Sequence, residues 1–212
     1  VKFDAGDAIH IGYFSNGALN ATGTSGSPIT FTSNASTPQP GDWKGIVFWN
    51  STVDATTIMD YCTVEYGGRD THNSNIDCDA ASPTIQNCTI RHSDGYGIYC
   101  DDNSAPTLTN NTVSNNGIYP ISLYCGILDN NVTGNTGSGN GTDAIEVRSG
   151  DITSNRTWVS QDLYFNVTEG TTYGITHVYN DAILTIEPGC LVKFNAGAVL
   201  YFGYRSAATL IA

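Results

Sequence analysis

Apolar and polar residues alternate along this chain in short runs, each closed by Gly, Asn, Asp or Pro. "PTIQNCTI" from Pro83 and "APTLTNNTV" from Ala105 show the pattern: two brief strands around an Asn-centred turn. Period-two alternation buries one face of a strand, and the bounding residues favour turns. No long helical period appears, so the pattern predicts an all-β chain.

The runs recur at a near-constant interval. Cys78 and Cys100 lie 22 apart, and the pairs Pro83/Pro106, Ile85/Leu108 and Asn87/Asn110 lie 23 apart. Ile121 follows Ile98 by 23, and a further unit, "AIEVRSGDITSNRT", starts at Ala144. Upstream, "TIMDYCTVEY" lines up with "TIQNCTIRHS", which puts Cys62 one longer turn before Cys88. A unit of about 20–26 residues cannot bury its apolar face alone, so such units must stack. Stacked strands at about 4.8 Å then form parallel sheets. The expected fold is a right-handed parallel β-helix, a solenoid of about 8–9 coils, forming a single domain over residues 1–212. Stacking predicts a ladder of Asn87, Asn110 and Asn130 amides along the axis.

A second, longer period spans the chain. "VKFDAGDAIHIGY" at Val1 returns as "VKFNAGAVLYFGY" at Val192, and Leu19 and Ala21 return as Leu210 and Ala212, all at an offset of 191. The chain reads as one repeat unit plus the start of the next, and as a mature or excised part of an exported precursor. The open rims of such a stack invite pairing. Val1, Phe3, Ile9 and Ile11 at one rim, with Val192, Phe194, Leu200 and Phe202 at the other, are the candidate assembly surface. End-to-end repetition of that contact gives a filament or, if rotation closes it, a hoop; the alternative is a unit cut from a longer covalent repeat, which predicts the same continuous stack.

Charge narrows the partners. The net charge is -12 with only eight Lys and Arg. That opposes nucleic acid, whose binding rests on neutralising phosphates, and anionic membranes. No apolar run approaches the ~20 residues of a membrane span, so membrane insertion is not expected. The remaining partners are copies of the chain itself and glycans, in an extracellular, cell-surface or sheath setting. Asn-x-Ser/Thr triplets at Asn20, Asn34, Asn50, Asn87, Asn110, Asn131, Asn140, Asn155 and Asn166 are glycosylation candidates if the chain is exported. The same triplets also arise wherever an Asn turn precedes a Thr-rich strand.

The six cysteines contain no C-x-x-C pair, which removes zinc-ribbon and thioredoxin readings. In a stack, Cys62 and Cys88 occupy equivalent positions on adjacent coils, as do Cys78 and Cys100. Adjacent Cα atoms at about 4.8 Å fall inside the disulfide range, so axial bridges 62–88 and 78–100 are expected. The alternative is a ladder of free interior thiols. Cys125 and Cys190 are left as candidates for a bridge between subunits.

Chemistry-bearing residues are sparse. Asp77, Asp79, Asp101 and Asp102 cluster near coil starts, with Arg91, His92 and Asp94 after the neighbouring strand. Stacked outward, Asp79, Asp101 and Asp102 are a possible calcium site, and no other cofactor is expected. Paired carboxylates also suit acid/base work on a sugar polymer; against that, Asp after a strand is an ordinary turn residue. His10, His72, His92 and His177 show no metal-ligand spacing. Trp43, Trp49 and Trp158 are candidates for a carbohydrate platform.

The phrases "LTIEPGCLVKFNAG", "GSPITFTS", "GDWKGIVF" and "MDYCTVEYGG" resemble signature stretches of right-handed parallel β-helix proteins of microbial cell surfaces. These are pectate-lyase-like in fold and numerous in methanogenic archaea and some bacteria. The resemblance covers nearly the whole chain and implies a cell-surface setting, with a sheath or surface-layer subunit as the nearest likeness. It implies a packing role for Trp43 in "GDWKG". It leaves activity open, because the fold hosts lyases, hydrolases, adhesins and structural layers. No active-site motif of the enzymes is legible, so a non-enzymatic structural protein is expected. The alternatives are a carbohydrate-binding adhesin module and, behind it, a polysaccharide lyase or hydrolase.

Overall fold

The alternating runs become strands whose apolar side chains point to a common interior. The computed structural model describes residues 1–169 and 175–212, with the side chain of Ile175 left aside. It is an all-β parallel solenoid of about eight coils, as the period predicts. Among the described residues the named strands pair in parallel, and the helical element is one short turn at Asp54–Thr56.

One sheet runs the length of the stack. Its strands are Ala8–Ile11, Gly45–Phe48, Ser74–Cys78, Tyr96–Cys100, Ile121–Tyr124, Ala144–Arg148, Tyr164–Thr168 and Val192–Phe194. Ile9, Ile46, Ile76, Ile98, Ile121, Ile145, Phe165 and Val192 stand in register and form an interior apolar ladder. A leading face precedes this long face in each early coil: Lys2–Phe3, Ile29–Ser33, Cys62–Glu65, Thr89–Arg91 and Thr112–Ser114. A trailing face follows it: Asn20–Thr22, Ile58–Asp60, Thr84–Gln86, Thr107–Thr109 and Val132–Thr133.

The faces change partway up. After Thr112–Ser114 the leading position holds only the bridge Thr112–Thr136, because "TGNTGSGNGTD" lacks apolar alternation. Two new three-stranded sheets then follow the long face. One is Asp151–Ile152, Ile175–Val178 and Val199–Phe202; the other is Arg156–Trp158, Ala182–Ile186 and Ala208–Ile211.

Corners are made by left-handed residues. Tyr61, Asn87 and Asn110 have φ of 49, 52 and 55°, each turning the chain from trailing to leading strand. Asn tolerates this conformation because its short side chain bonds locally. Gly117 answers a different need: a Cβ there would stand 2.0 Å from the Asp94 carbonyl oxygen of the coil below.

An amide ladder exists, but through other residues than the expected ones. Asn87 and Asn110 are corner residues, and Asn130 is exposed. The residues after the corners turn inward instead. Cys88 N–H donates to Asn111 Oδ1 at 3.0 Å, Asn111 N–H to Asn135 Oδ1 at 3.1 Å, and Asn135 N–H to Gln161 Oε1 at 3.2 Å. A second column runs from Ser93 N–H to Asn116 Oδ1 and from Asn116 N–H to Asn140 Oδ1, at 3.0 and 3.1 Å. Both columns satisfy backbone donors that a corner would strand in the core.

The cysteine expectation is corrected in part. Cys78 and Cys100 are register partners, and Cys62 lies beneath Cys88, yet the thiols are free. In-register parallel strands hold Cβ atoms about as far apart as Cα atoms, ~4.8 Å, beyond the 3.5–4.5 Å a disulfide needs. Cys125 is fully buried and out of reach of another subunit. Cys190 is half-buried, with its thiol donating to the Trp158 carbonyl at 3.2 Å.

Candidate functional site

The outer side of the long face carries the polar chemistry. Val47, Asp77, Tyr99, Ser122, Glu146, Asn166 and Lys193 alternate with the interior ladder and form one outward row. Beside it, Tyr124, Arg148 and Thr168 form a second row. New strands after the long face raise a wall next to these rows, with Asp151, His177 and Arg205. Between wall and sheet lies a groove of ≈ 740 Å³.

Its floor is aromatic and cross-braced. Arg148 lies over the Tyr99 ring at 4.1 Å and donates to Ser122 Oγ at 2.6 Å. His72 stacks on the same Tyr99 ring at 4.1 Å, and its Nδ1 bonds Asp77 at 2.7 Å. Glu146 is buried and accepts from the hydroxyls of Ser122 and Thr168. Tyr96 and Tyr119 stack at 6.5 Å, and Asn166 Nδ2 donates to Tyr119 Oη at 2.8 Å. On the wall, Asp151 N–H donates to Tyr124 Oη at 2.7 Å, while its carboxylate meets His177 Nδ1 at 3.2 Å and accepts from Tyr179 Oη at 3.0 Å.

Electrostatics follow from this packing. The hydrogen bond to Asp77 raises the His72 pKa, outweighing burial. Burial pushes the Tyr96 phenol up to about 12 and raises Tyr99, which Arg148 partly offsets. Burial, with Asp101 and Asp77 nearby, raises Asp79. The tyrosines therefore stay neutral, presenting ring faces and hydroxyls rather than charge. Such a floor suits binding by stacking and hydrogen bonding.

The predicted residues distribute unevenly over this site. Asp101 and Asp102 line the groove. The Asp101 carboxylate, however, accepts from Ala80 N–H, Asn103 N–H and Ser104 Oγ, which makes it a turn residue. Asp102 accepts from Asn103 Nδ2. Among the described residues no three acidic, His or Cys side chains converge to hold a metal. Trp43 and Trp158 are fully buried, and Trp43 stacks on Phe3 at 4.2 Å, so neither is a carbohydrate platform. Trp49 is half-exposed in a separate cluster with Tyr13 and His10.

The glycosylation candidates divide by accessibility. Asn20, Asn34, Asn50, Asn110 and Asn155 are exposed. Asn87, Asn131 and Asn140 donate their amide nitrogens to Asp60, the Pro106 carbonyl and the Val113 carbonyl. Asn166, at 6% exposure and bonded to Tyr119 and Asn195, has no room for a sugar.

Sequence reading passed over the tyrosines and Arg148, and set His72 aside for want of metal-ligand spacing. Tyr96 and Tyr119 keep the 23-residue coil period, and that spacing is the one signal that could have found them.

The rims of the stack differ. Phe3 and Ala21 are buried under the second coil, whereas Phe194 is 48% exposed and Leu210 47% exposed at the last.

No curated protein and no solved structure matches the chain. The model of the family described as right handed beta helix region matches residues 17–188, most of the sequence, and the chain belongs to that family.

Proposed function

We propose that this protein is a structural unit of an extracellular surface layer or sheath, stacking end to end on copies of itself. One observation carries the reading. The coil Val192–Ala212 repeats the residues of the first coil but keeps exposed what the first coil buries. Phe3 lies 4.2 Å from the Trp43 ring at an interplanar angle of 8°; Phe194 is its counterpart. Leu210 is the counterpart of Leu19, which packs against the core. The last coil therefore offers the surface that residues 27–60 cover in the first. It docks beneath the first coil of the next copy, a heterologous contact that propagates. The work is mechanical, held by inter-coil hydrogen bonds and buried amide columns, without a disulfide weld.

Electron microscopy of the concentrated chain tests this. Unbranched filaments are expected, and the double variant Phe194→Lys, Leu210→Lys should stay as short rods with unchanged circular dichroism. Dispersed wild-type rods at high concentration would remove the reading.

The tyrosine-floored groove favours a second reading, a carbohydrate-binding adhesin. It predicts measurable glycan affinity by calorimetry, lost in Tyr96→Ala and Tyr124→Ala with filament growth unaffected. Equal glycan titrations for wild type and both variants would exclude it.

A further inference from the structure

We infer that the tyrosine-floored groove selects a cationic glycan, an extended chain of amino sugars whose amines are free and protonated. The inference rests on the adhesin reading above and names its ligand class.

The groove's charge carries the argument. Asp101, Asp102, Glu146, Asp151 and Glu169 line it, against the guanidinium groups of Arg148 and Arg205. Both guanidinium groups are spent on rings. Arg148 stands 4.1 Å from the Tyr99 ring centroid and donates to Ser122 Oγ and the Cys100 carbonyl. Arg205 lies 5.5 and 5.9 Å from the Tyr179 and Tyr204 rings. The two cations brace floor and wall, and the carboxylates outnumber them by five to two. A cleft lined by one sign of charge concentrates the opposite sign from solution. A polyuronate therefore meets repulsion here, and a chain of protonated amines meets attraction.

The distribution of that charge selects a polymer. Among the described residues the carboxylates do not converge as a metal would require. They come instead from different coils. Asp101 and Asp102 follow Tyr96–Cys100, Glu146 and Asp151 lie in and after Ala144–Arg148, and Glu169 follows Tyr164–Thr168. Neighbouring coils are about 4.8 Å apart, close to the length of one pyranose ring in an extended chain. A chain of amino sugars along the axis brings an amine to each acidic level, whereas a lone ammonium meets only one. The floor matches the rest of such a ligand. Tyr96 and Tyr124 offer ring surface to the C–H face of a sugar, and a protonated amine beside a tyrosine ring gains a cation–π contact. A basic peptide lacks that C–H face. It also finds no sheet edge to extend, because the long-face strands from Tyr96–Cys100 to Tyr164–Thr168 are each paired on both sides.

Calorimetry on the wild-type chain at slightly acidic pH, where a sugar amine holds its proton, tests the inference. The probes are tetramers of glucosamine, N-acetylglucosamine and galacturonic acid, with tetralysine beside them. The glucosamine tetramer should bind roughly tenfold tighter than its acetylated counterpart, and the galacturonate tetramer should not bind. The double variant Asp102→Asn, Glu169→Gln removes two charges from exposed side chains at unchanged shape, and should erase the preference for the amine. Equal affinity for amine and acetamide, binding of the uronate, or a preference that survives the double variant would overturn the inference and leave a glycan site standing. Tetralysine binding as tightly as the glucosamine tetramer would mark a peptide or bare-cation site and overturn it as well. Silence from all three sugars would instead remove the adhesin reading, and the inference with it.

Discussion

The backbone N–H of Cys62 donates to the sulfur of Cys88 in the coil above, at 3.4 Å. Cys88 thus does for Cys62 what Asn111 does for Cys88: it caps a donor stranded at a corner. A side-chain hydrogen bond between the two thiols lowers the Cys62 pKa and, with burial, raises that of Cys88 well above the ordinary thiol value, which the backbone N–H offsets only in part. Two outcomes follow. Alkylation of the unfolded, unreduced chain should modify all six cysteines by mass spectrometry; a mass showing bridged pairs would contradict the free ladder. Cys88→Ala should cost about 1–3 kcal/mol in denaturant unfolding, the penalty for an unsatisfied buried donor, whereas Cys88→Asn should cost less.

Asn111 is fully buried and serves three neighbours. Its oxygen accepts from Cys88 N–H, and its amide nitrogen donates to the Ile85 carbonyl and to Asn135 Oδ1, at 2.9 and 3.0 Å. Asn111→Leu keeps the volume and removes every bond. A loss of about 2–4 kcal/mol is expected, since two buried backbone groups lose their partners. An unfolding midpoint within error of the wild type would show that water replaces the amide.

The contact of His72 with Asp77 sets a pH dependence. The His72 pKa is raised in the fold, so the folded chain holds this proton more tightly than the unfolded chain does. Its stabilisation is complete below the ordinary value of about 6.5 and is lost as pH rises through the higher folded value. Melting temperature should therefore fall across that window in the wild type. In His72→Gln the fall should be smaller; equal slopes would dissociate His72 from the effect.

Gly150 leaves room for the groove's wall. A Cβ there would stand 1.9 Å from the Tyr124 ring, whose hydroxyl accepts from Asp151 N–H. Gly150→Ala should displace Tyr124, break that bond and cost about 1–3 kcal/mol, as overpacking does. Unfolding curves and the tyrosine near-ultraviolet circular dichroism check it; an unchanged spectrum would mean the wall yields elsewhere.

Much of the architecture was legible in the residues. The 23-residue spacing of Ile98 and Ile121 reappears as direct strand partners, as does that of Ile85 and Leu108. The candidate site was much less so. Its members come from coils that only stacking brings together, such as His72, Tyr99 and Arg148.

Alternation along the chain determined that short strands form, and their inability to bury one face alone determined that they stack in chain order. Which side of a corner faces inward was decided only in three dimensions. A single left-handed residue such as Asn110 turns its successor into the core, so Asn111 rather than Asn110 joins the column. Folding likewise placed Trp43 and Trp158 inside and moved the repeated terminal phrase on by one face. Periodicity records only how a residue alternates with its neighbours, whereas burial depends on the accumulated turning of every corner beneath it.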